Sequence, residues 1–125
     1  MTIYVSHSRH ADFNFEKDLY APLELSNLAT FILPHKTSEH INSKELFEKH
    51  GCNMVLAECS FPATGQGMEL GWANMLNIPI ICAYRTGSDV STSAKLISQY
   101  HIEYKNPEDL ISQLASFLNS HDTTH

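Results

Sequence analysis

Residues 53–73 read NMVLAECSFPATGQGMELGWA. The first seven are apolar almost throughout and end at a turn-forming stretch. That predicts a short strand buried on both faces, as in a parallel sheet covered by helices. Gly65 and Gly67 lack Cβ atoms, so the backbone there is predicted to turn sharply and to admit a ligand closely. The helix that follows is predicted to run to about Asn77, with Glu69 in its first turn, where the positive end of the helix dipole favours an ionised carboxylate. Such a carboxylate, aimed into a cleft, suits attack on a glycosidic carbon. It is also ordinary first-turn chemistry, and the spacing alone does not choose between the two.

Outward from this unit, strands and helices alternate. TIYV (2–5), ATFIL (29–33), IPIICAY (78–84) and the weaker edge strand HIEYK (101–105) join NMVLAEC. Between them, Asp12 or Asn14 caps a helix carrying Phe15, Leu19 and Leu23, with a kink or break expected near Ala21 because Pro22 follows. Residues 42–51 form a helix capped at Ser43, and residues 91–99 a short one. The last helix, 106–120, starts with Asn106 as cap and Pro107 at its first position. The tail 121–125 is expected to fray. The pattern predicts one domain over 1–120: an α/β, doubly wound, five-stranded parallel sheet with helices on both faces, flavodoxin-like or Rossmann-like. Ligands in such sheets bind beyond the carboxyl ends of the strands at the switch point. Loops 6–12, 34–43 and 58–68 should meet there.

The formal net charge is −6 over 125 residues, with no Lys/Arg run. Nucleic acid and anionic membranes are therefore not expected as partners. No apolar stretch is long enough to span a bilayer, and the N-terminus lacks a signal-peptide layout, which points to a cytoplasmic protein. Cys52, Cys59 and Cys82 sit in or beside apolar runs and read as reduced, buried thiols. His7, His10, His35 and His40 are not tied to a third ligand at metal-binding spacing, so no metal and no cofactor is expected. His7 and His35 fall in the cleft loops.

With Ala57–Glu58, Pro62, Gly65, Gly67 and Glu69–Leu70–Gly71 in place, residues 53–73 resemble the signature of the nucleoside 2-deoxyribosyltransferase superfamily, closest to the 2'-deoxynucleoside 5'-phosphate N-hydrolase branch. The resemblance implies that Glu69 is a nucleophile that takes the deoxyribosyl group as a covalent ester, which water then resolves. It places a second catalytic carboxylate at Glu45, where the family usually has Asp. It puts Tyr4, Ser6, Ser8 and Arg9 in the substrate loop, and Ser8 and Arg9 are natural anion donors. The family's phosphate-binding hydroxyl falls on Ala63, with Thr64 adjacent. Glu58, Gly65 and Gly67 complete the expected substrate contacts, the role of Glu58 being open between sugar, loop and turn.

Met68, Trp72 and Met75 share one face of the predicted helix, and Leu70 and Ala73 another. Two apolar faces call for a second cover, so a homodimer is expected. In the related hydrolases a neighbour's hydroxyl completes each site, and Ser93 holds that position here. The leading expectation is hydrolysis of a 2'-deoxynucleoside 5'-monophosphate, a small-molecule substrate. Its rivals are a nucleoside 2-deoxyribosyltransferase acting on unphosphorylated nucleosides and a non-catalytic nucleotide-binding or signalling module.

Overall fold

In the computed structural model, which describes residues 1–121, five strands form one parallel sheet in the order β2-β1-β3-β4-β5. They are β1 (Thr2–His7), β2 (Thr30–Ile32), β3 (Met54–Glu58), β4 (Ile80–Arg85) and β5 (Tyr100–Tyr104). The helices are α1 (Ala21–Ser26), α2 (Ser43–Glu48), α3 (Thr64–Met75), α4 (Thr92–Ile97) and α5 (Pro107–Ser120). This is the doubly wound α/β arrangement that the alternation predicts, with its switch point between β1 and β3. Residues 122–125, most of the tail expected to fray, lie outside the described residues.

Period-two alternation sorts the strand side chains into two cores. Ile3, Val5, Leu56, Ile81 and Ile102 pack with Leu23, Leu110 and Leu114 on the α1/α5 face. Tyr4, Val55, Ala57, Ile80 and Cys82 pack with Phe47, Leu70 and Ala73 on the α2/α3 face. All three cysteines are free and buried.

Local details depart from expectation or sharpen it in three places. The cap of α2 is Asn42 rather than Ser43, its side chain accepting from Glu45 N at 3.1 Å. The kink or break expected near Ala21 takes the form of a change of helix type at that point. A π-helical turn, Glu16–Tyr20, runs directly into α1, and Pro22 sits in the first turn of α1 immediately after the change of helix type. The third detail matters most. Gly65 and Gly67 are not a turn before α3 but lie inside its first turn, and Glu69 stands one turn further on. Extended Ala63 starts this helix with no side-chain cap. Among the described glycines only Gly87 has a positive φ. The helix dipole fades within the first turn, so it does not hold Glu69.

Candidate active site

A cavity of about 740 Å³ opens over the carboxyl ends of β1 and β2, between the β2–α2 segment and α3. Strand β1 and its loop contribute Tyr4, His7 and Arg9. The segment after β2 contributes residues from Pro34 to Ser43, Glu39 among them, and α3 contributes Gly65, Gln66, Met68, Glu69 and Trp72. The helical period places Gly65, Met68, Glu69 and Trp72 along one stripe of α3.

Both oxygens of Glu69 are held. Tyr4 Oη donates to Oε2 at 2.5 Å and Ser6 Oγ donates to Oε1 at 2.8 Å. Tyr4 and Ser6 are two apart on β1, so their side chains leave the same face of the sheet towards α3. Burial, with the Glu69 charge beside it, pushes the Tyr4 phenol far above its ordinary range. Tyr4 therefore stays protonated and remains a donor. Ser6 is fully buried and does not line the cavity; its contact is with Glu69.

In the cavity wall, His7 donates from Nδ1 to the Ser8 carbonyl at 2.7 Å, so its Nε2 accepts from Tyr20 Oη at 2.7 Å. Burial lowers the His7 pKa to about 4 and keeps the ring neutral. Tyr20 Oη also accepts from the backbone N–H of His35 at 3.0 Å, and burial raises its pKa to about 12. The π-helical turn thus delivers a hydroxyl that ties the start of the cavity wall to β1. Burial and the nearby Arg9 charge lower the His35 pKa as well.

The remaining expected site residues separate. Arg9 is exposed at the cavity, whereas Ser8 is buried with its Oγ accepting from His10 N at 2.9 Å, a contact inside the loop. Gly65 lines the cavity, and Thr64 is exposed beside it without lining it. Glu45 does not reach the cavity. It points into solvent on α2 and pairs with Lys49 at 2.6 Å, the i,i+4 contact that a helix surface favours. Glu58 is buried on the opposite face of the sheet from Glu69. Its Oε1 accepts from Ser60 N at 2.7 Å, and its Oε2 accepts from Ser60 Oγ and Tyr104 Oη. Burial raises its pKa. Glu58 braces the β3–α3 loop and touches no substrate space. Ser93 and Gly67 line a smaller cavity of about 160 Å³ against α4, apart from Glu69.

Sequence reasoning missed Gln66, whose buried Nε2 donates to the Ser6 carbonyl at 3.2 Å and the Glu58 carbonyl at 2.7 Å. A glutamine between two glycines carries no periodic signal that would announce this strap across the switch point. Among the described residues no group of three or more His, Cys, Asp or Glu is placed to hold a metal ion, and no helix is long and apolar enough to cross a membrane.

Glu69, Tyr4 and Ser6 stand at the switch point between β1 and β3, and solved structures share this framework. The chain has the fold of a CMP N-glycosidase. That protein, BcmB from Clostridium botulinum, superposes with a TM-score of 0.66 over 94% of this chain and 100% of its own, at 15% identity. The signal receiver domain of a putative LuxO repressor protein from Vibrio parahaemolyticus matches with a TM-score of 0.50 over 99% of this chain and 97% of its own, at 14% identity. No family model and no curated protein matches the chain. An N-glycosidase and a receiver domain on one framework show that fold does not choose function here, and the side chains must.

Proposed function

We propose that this protein hydrolyses the N-glycosidic bond of a 2'-deoxynucleoside 5'-monophosphate through a covalent deoxyribosyl ester on Glu69. The observation that carries this reading is a carboxylate facing a nucleotide-sized cavity with each oxygen held by a neutral hydroxyl. Neutral donors orient the anion without the full cancellation of charge that an Arg or Lys would bring. In the first step a lone pair on Glu69 forms the bond to C1', the C1'–N bond breaks, and its electron pair leaves with the base, which takes a proton. In the second step water attacks C1', gives up a proton, and returns the ester electrons to the carboxylate. Glu39, the other carboxylate lining the cavity, takes the acid and then the base role that the outward turn of Glu45 denies to α2.

Arg9 is the cavity's arginine and the natural phosphate partner. Ala63 supplies no hydroxyl, which favours the reading in which unphosphorylated nucleosides are the substrates. The exposed face of α3 supports a homodimer. Met68 is 53% and Met75 81% exposed, and a second copy covering them would close the outer rim of the cavity.

The test is incubation with the four 2'-deoxynucleosides, their 5'-monophosphates and CMP, with free base followed by chromatography. Base release from the deoxymonophosphates, with a ten- to hundredfold preference over deoxynucleosides that Arg9→Ala removes, is the expected result for one charge-assisted contact of about 1.5–3 kcal/mol. Equal use of both would assign the enzyme to nucleosides. No base release from any of them would leave a binding module.

A further inference from the structure

We propose that Ser6 is a positioning residue that divides the work of the two Glu69 oxygens. It fixes Oε1 as the carbonyl end of the covalent ester and leaves Oε2 to attack. The inference rests on Glu69 being the nucleophile. Tyr4, the partner of Oε2, and Ser6, the partner of Oε1, are both buried, but Tyr4 contributes to the cavity lining and Ser6 does not. That placement assigns Oε2, the oxygen bonded to the cavity-lining residue, to the sugar carbon.

A glutamate has three side-chain torsions, and the last is broad, so one hydrogen bond leaves the carboxylate plane free to swing. The second donor stops that rotation. Ser6 is itself anchored, because its carbonyl accepts from the Gln66 amide that also holds the end of β3.

The hydrogen bond from Ser6 then changes strength along the reaction. When Oε2 bonds to C1', Oε1 becomes an ester carbonyl oxygen, a weaker acceptor than a carboxylate. When water displaces the ester, the electron pair of the C1'–Oε2 bond returns to Oε2 and, through carboxylate resonance, charge builds again on Oε1. Ser6 Oγ meets that charge. Its hydrogen bond is therefore stronger in the second transition state than in the covalent intermediate, which is the condition for accelerating that step.

The experiment is rapid-mixing kinetics of Ser6→Ala and Tyr4→Phe beside the wild type, on whichever 2'-deoxynucleoside 5'-monophosphate the wild type hydrolyses. Ser6→Ala is expected to release one equivalent of base in a burst, then turn over about tenfold more slowly, with kcat and KM falling together as the ester accumulates. Tyr4→Phe removes the donor on the oxygen that attacks and later departs, so it is expected to slow both steps and to show no burst. A Ser6→Ala enzyme that turns over like the wild type, or loses kcat at unchanged KM without a burst, overturns the proposal and leaves Glu69 in place. A burst in Tyr4→Phe instead reverses the assignment of the oxygens. Absence of any turnover by the wild type is a separate failure. It removes the N-glycosidase reading, and the catalytic role of Ser6 with it.

Discussion

Glu58 and Glu69 are eleven positions apart in one motif, yet they lie on opposite faces of the sheet and live in opposite environments. Glu58 is sealed on the α1/α5 side, with Ser60 and Tyr104 on its oxygens and Arg85 close enough to favour its charge. Glu69 stands on the α2/α3 side, held by as many hydroxyls but at the edge of a cavity. Hydrogen bonding does not separate the two. Access does. A carboxylate with no open approach braces the loop beside it, and one with an approach can react.

The comparison breaks most sharply at Glu69. Glu69→Gln should reduce base release by several orders of magnitude, the usual cost of losing a covalent nucleophile, while thermal denaturation shows a chain at least as stable as the wild type. A variant with near-normal release would place the chemistry elsewhere. Glu58→Gln should do the reverse. It leaves a buried network short of its charge and should destabilise the fold by about 1–3 kcal/mol, read as a lower denaturation midpoint, with base release at permissive temperature largely kept. Equal loss of activity in both variants would erase the distinction between brace and nucleophile.

A third test uses pH. The His7 pKa is about 4 when folded, below its ordinary 6.5, so the unfolded chain binds more protons between these values. Stability therefore rises with pH across that window and is lost as pH falls from 6.5 towards 4, by roughly 2–3 kcal/mol from this residue. Glu58 has the opposite sign. Its raised pKa makes the folded chain the better proton binder, so acidification offsets part of the loss. Denaturant midpoints of wild type and His7→Gln at pH 7 and pH 4.5 should differ in slope, the variant losing less. Identical slopes would show that His7 titrates normally.

The smallest effect belongs to Glu45. Exposed and paired only with Lys49, it should tolerate Glu45→Gln with little change in melting temperature or turnover. A large fall in activity would mean that α2 turns towards the cavity when substrate binds, restoring the carboxylate pair that the family resemblance implies.

What proved legible was local or periodic. Five strands stood out because apolar runs alternate with helical spacing, and Glu69 because an acid among glycines breaks the apolar pattern. The glycines themselves misled. Without Cβ atoms they suit a sharp turn and also fit an ordinary first helical turn, and the latter is what they form.

The sequence by itself determined the alternating α/β plan, the parallel sheet and the position of one conspicuous carboxylate, because each depends on neighbours within a few residues. Only the tertiary structure decided which acids meet the cavity. Ser6 and Glu69 are 63 positions apart, and Tyr4 and Glu69 are 65. They meet because α3 packs over β1 at the switch point. Glu58 turns away because successive strand residues face opposite sides, and Glu45 because its turn of α2 points to solvent. Each outcome follows from how one element's orientation is set by packing against another, which spacing along a single chain does not encode.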